Sequence, residues 1–203
     1  MQKLPSKHSL PLNYVKSETG ALYEITKTLA RGGFSSVSLV ERFILDGDKK
    51  SSIAKSPNSA AIKTSSSKFQ NDLSILLIEN EISILPSLNH PSIIKFYGRI
   101  SEGSSSSDGY LMEHVQIFQN LRNFSQKLIS LEFVLLAFQT IALGLDYLHK
   151  HDLIHGDIKP DNLLVPKNPK YAKLADFGYC SQNGSRIGSF MPQDYSTSSF
   201  LYS

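Results

Sequence analysis

The chain has 203 residues, of which 40% are hydrophobic and 19% are charged, a composition typical of a folded globular protein. The formal net charge is +3 and the basic residues form no block, so neither a nucleic acid nor a membrane surface is indicated as a partner. Cys180 is the only cysteine, which excludes an intrachain disulfide, and no apolar run reaches the length that predicts a membrane span.

The first elements in chain order are a flexible lead-in and a β-hairpin. Residues 1–20 contain prolines and polar residues without a period, and we expect them to form no regular structure. From Tyr23 apolar and polar residues alternate, which predicts a half-buried strand. Gly32 and Gly33 interrupt it, and apolar residues return within Val37–Val40. A second strand after a glycine-rich turn is therefore predicted.

A short strand, a helix and two further strands are predicted next. Ala60–Lys63 is a short apolar strand that ends in a lysine. Apolar residues then recur at helical spacing over residues 73–85, and Pro86 is expected to end or kink this helix. The apolar stretches at 93–97 and 110–113 predict the two strands.

The longest periodic signal predicts a second helix. Its apolar residues follow one another in steps of three and four, which places all of them on one helix face. They are Leu131, Val134, Leu135, Phe138, Ile141, Ala142, Leu145 and Leu148. Residues 163–165 and 171–174 then predict a short hairpin, and no period is visible after Ser181.

The strongest chemical signal is a pair of polar motifs that follow these apolar segments. The first runs from His155 to Asn162 and contains Asp157, and the second is Asp176-Phe177-Gly178. Phosphoryl transfer from ATP needs such a set, because one carboxylate orients the attacking hydroxyl and accepts its proton. A second carboxylate and an amide oxygen can hold Mg²⁺, a hard cation that prefers oxygen ligands. The motifs therefore indicate a phosphotransferase.

Both motifs resemble those of the protein kinase family. The resemblance implies that Asp157 is the catalytic base and that Lys159 steadies the transferred phosphate, as in serine/threonine kinases. Asn162 and Asp176 would hold the metal. The family also implies ATP and Mg²⁺ as cofactors and a serine or threonine of a protein as the acceptor. The implied fold is α+β with two lobes, an antiparallel-sheet N-lobe with one helix and an incomplete helical C-lobe.

The N-terminal half extends the resemblance to nucleotide binding. Residues 29–37 look like the glycine-rich loop, although Ala30 and Ser35 stand where the family has its first and third glycines. Lys63 resembles the lysine that binds the α- and β-phosphates, and Glu81 resembles the helical glutamate that pairs with it. The residues that the resemblance assigns to the nucleotide are Gly32, Gly33, Val37, Ala61, Lys63, Leu164 and the hinge residues Glu113 and Val115.

The resemblance divides the chain into three regions, with residues 1–20 as the lead-in, 21–115 as the N-lobe and hinge, and 116–203 as a partial C-lobe. It covers roughly residues 22–178, because no Ala-Pro-Glu follows and the closest text is Phe190–Asp194. We therefore expect a kinase domain truncated after Asp176-Phe177-Gly178, whose activity in this form stays open. The single cysteine and the lack of a secretory signal fit the cytoplasm or the nucleus.

Two alternatives to a protein kinase remain open. The first is a pseudokinase or a nucleotide- or partner-binding fragment without turnover, since the later helices of the lower lobe are absent from the sequence. The second is a small-molecule phosphotransferase, because His155-Gly156-Asp157 with Asn162 resembles the aminoglycoside and choline kinases. Gly156 stands where many protein kinases have the arginine that contacts a phosphate on the activation loop. We expect this chain not to use that switch.

Overall fold

The structure, a computed structural model, describes residues 13–43, 57–65, 72–100, 109–117 and 130–182. The chain divides into two compact units. The first unit comprises Met1–Ile78 and Lys95–His114, and the second comprises Glu79–Ile94 and Val115–Ser203. The division after His114 lies next to the boundary predicted from the sequence, whereas Glu79–Ile94 groups with the second unit.

The first unit is built on a six-stranded antiparallel sheet with the order β1-β2-β3-β4-β6-β5. Its strands are β1 (Tyr14–Lys16), β2 (Leu22–Arg31), β3 (Ser35–Phe43), β4 (Ser59–Ser65), β5 (Phe96–Arg99) and β6 (Gly109–Met112). The predicted hairpin and the strand at Ala60–Lys63 are confirmed. The strand predicted at 93–97 begins only at Phe96, because Ile93 and Ile94 pair with Leu174 instead.

The two edge strands of this sheet, β1 and β5, meet at their ends. Ser17 and Ile100 form an isolated antiparallel bridge, and the N–H of Glu18 donates to the carbonyl oxygen of Arg99 at 3.0 Å. The expectation of a flexible lead-in is therefore wrong for residues 14–17. A three-residue strand shows too little alternation to be recognised, and it is ordered by partners far along the chain. Residues 1–12 lie outside the described part.

Strand β1 also contributes to the core of the first unit. Val15 lies opposite Tyr23, and both side chains are almost completely buried against Ile62 and Leu111. The hydroxyl of Tyr23 donates to the carbonyl oxygen of Pro57 at 3.1 Å. Burial of a side chain such as Val15 contributes about 1.5–3 kcal/mol to stability. The first strand thus stabilises the sheet in addition to closing its edge.

Helix α1 (Asp72–Ile84) and the short 3₁₀ turn Leu85–Ser87 confirm the helix predicted over residues 73–85. Pro86 lies in the first turn of the 3₁₀ segment, where its missing N–H and fixed φ are tolerated. The C-terminal half of α1 belongs to the second unit and carries Asn80 and Glu81. These two side chains reach the candidate site.

Helix α2 (Leu131–Lys150) is the second predicted helix. Its N-cap is Ser130, whose hydroxyl oxygen accepts from the N–H of Phe133 at 3.2 Å. Glu132 in the first turn and His149 and Lys150 in the last turn have the charges that the helix dipole favours. The N-cap and these charges stabilise both ends of the helix.

The apolar residues predicted to share one face of α2 are only partly buried. The buried row contains Ala137, Ile141, Gly144 and Leu148. Leu131 is 72% exposed, and Leu135 and Phe138 are each 59% exposed. Gly144 decides the packing, because a Cβ at this position would lie 3.1 Å from atoms of Ser92 and Leu174. The absence of a side chain lets these residues approach the helix, and the larger apolar side chains point elsewhere.

Helix α2 is long and apolar enough to cross a membrane by length and composition alone, so the expectation that no run reaches that length is wrong. One row of its residues packs within the second unit, while most of its residues keep exposed surface. Leu148 is fully buried, and the Tyr147 hydroxyl accepts from the N–H of Asn89 at 3.1 Å. We therefore interpret α2 as an amphipathic helix that packs one face into the second unit.

The second unit also contains two small antiparallel ladders. Strand β7 (Leu153–Ile154) pairs with β10 (Ser181–Gln182), and β8 (Leu163–Leu164) pairs with β9 (Lys173–Leu174). The hairpin predicted over residues 163–174 is confirmed, although its strands are shorter than expected. The antiparallel sheet of the first unit, helix α2 of the second unit and helix α1, which is divided between them, confirm the α+β class.

Candidate active site

The loop between β7 and β8 carries most of the predicted site. It contains residues 155–162 and ends in the 3₁₀ turn Pro160–Asn162, which Pro160 opens. The second motif, Asp176-Phe177-Gly178, begins shortly after β9. Because β8 and β9 pair, with Leu163 opposite Leu174, the end of the loop and the start of the second motif lie at the same end of one ladder. The fold thus brings the two motifs together within the second unit.

Asp157 is the best-defined carboxylate of the site. Its Oδ2 accepts from Lys159 Nζ at 2.6 Å and from Asn162 Nδ2 at 2.9 Å. The side chain is 23% exposed, so it is partly shielded yet reachable. In the described part of the chain, Oδ1 of Asp157 accepts no hydrogen bond. This oxygen is therefore the one that can take a hydrogen bond from a hydroxyl substrate.

Asn162 joins the loop to the second motif. Its Nδ2 donates to both Oδ2 and the backbone oxygen of Asp157, and its own backbone oxygen accepts from the N–H of Ala175 at 3.0 Å. Since both amide hydrogens point to Asp157, the Oδ1 of Asn162 is directed away from that residue. Asn162 is buried, and a buried amide in such a network holds its neighbours in one arrangement.

His155 makes the second connection between the motifs. Its Nδ1 accepts from the N–H of Asp157 at 3.4 Å, so its Nε2 carries the proton and donates to the oxygen of Ala175 at 3.1 Å. Its ring packs against Phe177 with centroids 4.7 Å apart. Burial is the main cause that lowers the pKa of His155, and it outweighs the raising effects of Ala175, Asp176 and Asp157. The ring is a neutral structural link.

Asp176 has an unusual backbone conformation. Its φ is +65°, which is costly for a residue with a side chain and persists only where the surroundings hold it. The residues on both sides are held. Ala175 bonds to Asn162 and His155, and the N–H of Phe177 donates to Glu81 Oε2 at 3.4 Å. The backbone on both sides of Asp176 is therefore held by the loop and by helix α1.

Asn80 is a residue that the sequence analysis missed. Its Nδ2 donates to the backbone oxygens of Gly178 and Cys180, both at 2.9 Å. Its position directly before Glu81 is the only signal in the sequence, and a polar residue on a helix is ordinarily a solvated one. Cys180 itself is no reactive group, because burial raises the pKa of its thiol to about 11.

Gly156 lies against the segment that follows the second motif. Its φ is +80°, and a Cβ there would collide with the backbone oxygen of Tyr179. A side chain at this position therefore requires both a strained backbone and a shift of Tyr179. The absence of the family's arginine is thus built into the local packing of the loop.

The first unit holds most of the residues assigned to the nucleotide. Gly32 and Gly33 form the turn between β2 and β3, and nothing lies within 4 Å of a Cβ added to Gly33. The fold itself does not require a glycine there, which fits a backbone that a ligand approaches. Val37 lies opposite Lys63 in the β3–β4 ladder, while Ala61 lies opposite Met112 in the β4–β6 ladder. Their close placement supports the assignment.

The remaining predicted residues are divided between the units. Lys63 is 5% exposed and Glu81 is 1% exposed, but they belong to different units, and their pairing stays a prediction. The N–H of Glu113 donates to the oxygen of Lys95, so any contact of Glu113 with adenine would use its carbonyl oxygen. Val115 and Leu164 belong to the second unit, and their contact with a nucleotide also stays a prediction.

The residues assigned to Mg²⁺ fit this ion by their chemistry. Asp176 supplies a carboxylate, and Asn162 supplies an amide oxygen that accepts no hydrogen bond among the described residues. Within the described ranges no cluster of three or more His, Cys, Asp and Glu side chains could hold a metal. A set of two protein oxygens suits Mg²⁺, which keeps several waters and binds substrate phosphates.

Comparison with known proteins agrees with this geometry. The family model of the protein kinase domain matches residues 23–201. The sequence analysis expected the resemblance to stop at Gly178, and the match shows that this limit is wrong. The region of Phe190–Asp194 lies within the match but outside the described residues.

Three curated relatives illustrate the similarity. A carbon catabolite-derepressing protein kinase of Candida glabrata is 32% identical over 167 residues, which are 77% of this chain and 23% of that protein. A probable serine/threonine-protein kinase of Dictyostelium discoideum is 29% identical over 185 residues, 89% of this chain and 34% of that protein. Cyclin-dependent kinase G1 of Arabidopsis thaliana is 33% identical over 129 residues, 62% of this chain and 21% of that protein. The chain thus spans about a third or less of the length of these relatives.

Proposed function

Because the chain belongs to the protein kinase family, we propose that it transfers the γ-phosphoryl group of ATP to a serine or threonine hydroxyl of a protein substrate. The observation that carries the proposal is the arrangement around Asp157, whose Oδ2 is bound by Lys159 and Asn162 while Oδ1 remains for a substrate. Positioning and charge stabilisation supply most of the catalysis in phosphoryl transfer.

Asp157 orients the acceptor hydroxyl and takes its proton. A hydroxyl within hydrogen-bond reach of Oδ1 would have its oxygen directed at the γ-phosphorus, and its proton would pass to the carboxylate as the new P–O bond forms. The bond from this phosphorus to the β,γ-bridging oxygen would break at the same time, and ADP would leave. The two bonds to Oδ2 keep the carboxylate from rotating. A general base positioned in this way contributes about 10²–10⁴-fold to the rate.

Lys159 and the two metal-binding residues serve the phosphate. Lys159 Nζ carries a positive charge within 2.6 Å of the Asp157 carboxylate, so a transferred phosphoryl group near Asp157 would meet this charge. Asn162 and Asp176 would hold Mg²⁺ through their oxygens. When bound, this ion neutralises the charge that develops on the phosphate oxygens.

Lys159 also bears on the acceptor class. It follows Asp157 by two residues and precedes Pro160, an arrangement that serine/threonine kinases have and tyrosine kinases usually lack. Two of the matched relatives are named for kinase activity without a stated residue, and the Dictyostelium protein is named a serine/threonine kinase. Serine or threonine is therefore the acceptor that we propose.

The test is transfer of labelled phosphate from γ-labelled ATP in the presence of Mg²⁺. The chain is offered serine/threonine peptide libraries, tyrosine libraries, and an aminoglycoside with choline. Asp176→Asn serves as the variant without the proposed metal carboxylate, and Asp146→Asn, an exposed change on α2, is the matched control. Label on serine or threonine that Asp176→Asn abolishes and Asp146→Asn retains is expected.

Each other result points to a different function. Label on the aminoglycoside or choline alone would make the protein a small-molecule phosphotransferase. Binding of ATP with Mg²⁺ but no transfer to any acceptor would make the chain a nucleotide-binding module. Either result would contradict the proposed protein kinase activity of this chain.

A further inference from the structure

Helix α1 contacts the segment after Asp176 through two neighbouring side chains. Glu81 Oε2 accepts from the N–H of Phe177, and Asn80 Nδ2 donates to the oxygens of Gly178 and Cys180 at 2.9 Å each. All of these atoms belong to the second unit. Three hydrogen bonds from two adjacent residues thus fix one side of a four-residue segment.

The segment itself is a tight turn. The N–H of Cys180 donates to the oxygen of Phe177 at 2.9 Å, which is the bond that closes a β-turn. This closure leaves the oxygens of Gly178 and Cys180 to find partners elsewhere, and both point to the same nitrogen of Asn80. A side-chain amide suits this position because one nitrogen carries two donors and no charge.

The opposite side of the turn is held by the catalytic loop. Gly156 lies directly against the backbone of Tyr179, and Ser181 pairs with Ile154 in the β7–β10 ladder. The turn is therefore enclosed by α1 on one side and by the loop that carries Asp157 on the other. A loss of the α1 contacts would free the turn in the direction away from that loop.

Asp176 depends on this enclosure because of its backbone. Its φ of +65° needs surroundings that hold it, and the turn begins at the very next residue. Ala175 is bonded on the N-terminal side by Asn162 and His155. On the C-terminal side, the described contacts are those of Glu81 and Asn80, the turn itself, the His155 ring against Phe177 and the pairing of Ser181 with Ile154. Asn80 binds two backbone oxygens of the turn, so its loss would weaken this support of Asp176.

We infer that Asn80 is a positioning residue that fixes the direction of the Asp176 carboxylate by binding the Phe177–Cys180 turn. The inference rests on the proposed function only in that Asp176 serves a metal. Asn80 acts through its bonds to the backbone of Gly178 and Cys180. Its effect is expected on the use of Mg²⁺ more than on the acceptor peptide, because Asp176 is the residue that it supports.

The test compares Asn80→Asp with Asn168→Asp in the full chain. Asp has the shape of Asn but places acceptor oxygens against two backbone oxygens, so the turn loses both bonds. Asn168 also uses its side chain toward the backbone, because its Oδ1 accepts from the N–H of Lys170, and Asp preserves that bond. Comparison of the two variants therefore separates the effect of the lost donors from the effect of the added negative charge.

Two readouts decide the inference. Hydrogen exchange of the Cys180 amide should accelerate about tenfold or more in Asn80→Asp, while exchange within α2 and in Asn168→Asp stays unchanged. The Mg²⁺ concentration that gives half of the maximal transfer rate should rise about tenfold with little change in the KM of the peptide. Asn80→Gln, which keeps both donors on a longer side chain, should recover part of both effects.

The hydrogen-exchange readout needs no activity, so it tests the inference even if the chain transfers no phosphate. Unchanged exchange of Cys180 in Asn80→Asp would overturn the inference. Equal acceleration throughout α2 would also overturn it, because Asn80 would then serve general stability. A wild-type chain without any transfer would instead contradict the proposed function and leave the exchange result to decide the role of Asn80.

Discussion

The side-chain amide of Asn162 donates one hydrogen bond to the backbone oxygen of Asp157 at 2.8 Å and a second to its carboxylate at 2.9 Å. One residue thereby sets both the backbone and the side chain of the proposed base. The amide oxygen of the same residue is also a proposed ligand of Mg²⁺.

Replacement of Asn162 by Ala is expected to lower kcat by about 10²-fold or more, because the carboxylate of Asp157 loses one of its two bonds and the metal loses a ligand. The measurement is steady-state transfer at several Mg²⁺ concentrations. Asn168→Ala, which removes an exposed amide elsewhere in the second unit, is the control and should stay near the wild-type rate. Equal rates for Asn162→Ala and Asn168→Ala would contradict the role of Asn162.

Substitution by alanine is expected to have different effects at Gly156 and at Gly33. Gly156→Ala should destabilise the protein by about 1–2 kcal/mol from the positive φ alone, with a further cost from contact with Tyr179. Gly33→Ala should leave the free energy of unfolding nearly unchanged, because its Cβ would meet nothing within 4 Å. It should instead raise the KM for ATP if the backbone of Gly33 approaches the phosphates. Urea unfolding and ATP kinetics on both variants measure the two effects, and equal loss of stability would show that the turn at Gly33 is misjudged.

The lowered pKa of His155 predicts that the folded protein loses stability in acid. Its ordinary pKa is 6.5, and burial lowers the pKa in the folded state. The unfolded chain therefore binds a proton more readily than the folded chain below about pH 6.5, so stability is fully present above that pH and falls as the pH drops. The slope from one such group approaches about 1.4 kcal/mol per pH unit. The pKa of His90 is also lowered, chiefly by burial, and acts in the same direction.

The measurement for His155 is urea unfolding between about pH 7.5 and 5. His155→Phe keeps an aromatic ring against Phe177 but cannot take a proton, so its stability should depend less steeply on pH, whatever its absolute value. An unchanged slope in His155→Phe would mean that other groups cause the acid effect.

Two similar substitutions in helix α2 are expected to differ in their effect on the free energy of unfolding. Ile141→Gln should destabilise the protein by several kcal/mol, because Ile141 is 4% exposed and a buried amide would lack partners. Leu135→Gln, six residues before it on the same helix, should change stability by only about 0.5 kcal/mol and improve solubility, because Leu135 is 59% exposed. Chemical unfolding of both variants provides the comparison. A large loss from Leu135→Gln would show that the exposed face of α2 is covered in solution.

The sequence predicts those site residues and secondary-structure elements whose contact partners lie close to them along the chain. Asp157, Lys159 and Asn162 lie within six residues, and their mutual bonds follow from one short loop. The two helices follow from periodicity, and the end of α1 follows from Pro86. The hairpin of β2 and β3 follows from alternation interrupted by two glycines.

The parts that could not be predicted depend on distant partners. Strand β1 is ordered by β2 and by Ile100, and no sequence pattern in residues 14–16 indicates either partner. The buried row of α2 is selected by Ser92 and Leu174 against Gly144, and the apolar periodicity alone does not show which residues of the helix are covered. Asn80 acts on oxygens of residues about a hundred positions later, a relation that no local pattern contains.

The central claim, that Asp157 is the base of a phosphoryl transfer, is tested most directly by the rate of Asp157→Asn. The variant keeps the shape of the side chain and an oxygen that can accept from Lys159, but it cannot take a proton. The measured quantity is kcat/KM for label transfer from γ-labelled ATP to a serine/threonine peptide, with Asp146→Asn as the matched control. We predict a fall of about 10²–10⁴-fold for Asp157→Asn, unchanged binding of ATP, and a rate for Asp146→Asn within about twofold of wild type. An Asp157→Asn variant as active as the Asp146→Asn variant would contradict the account.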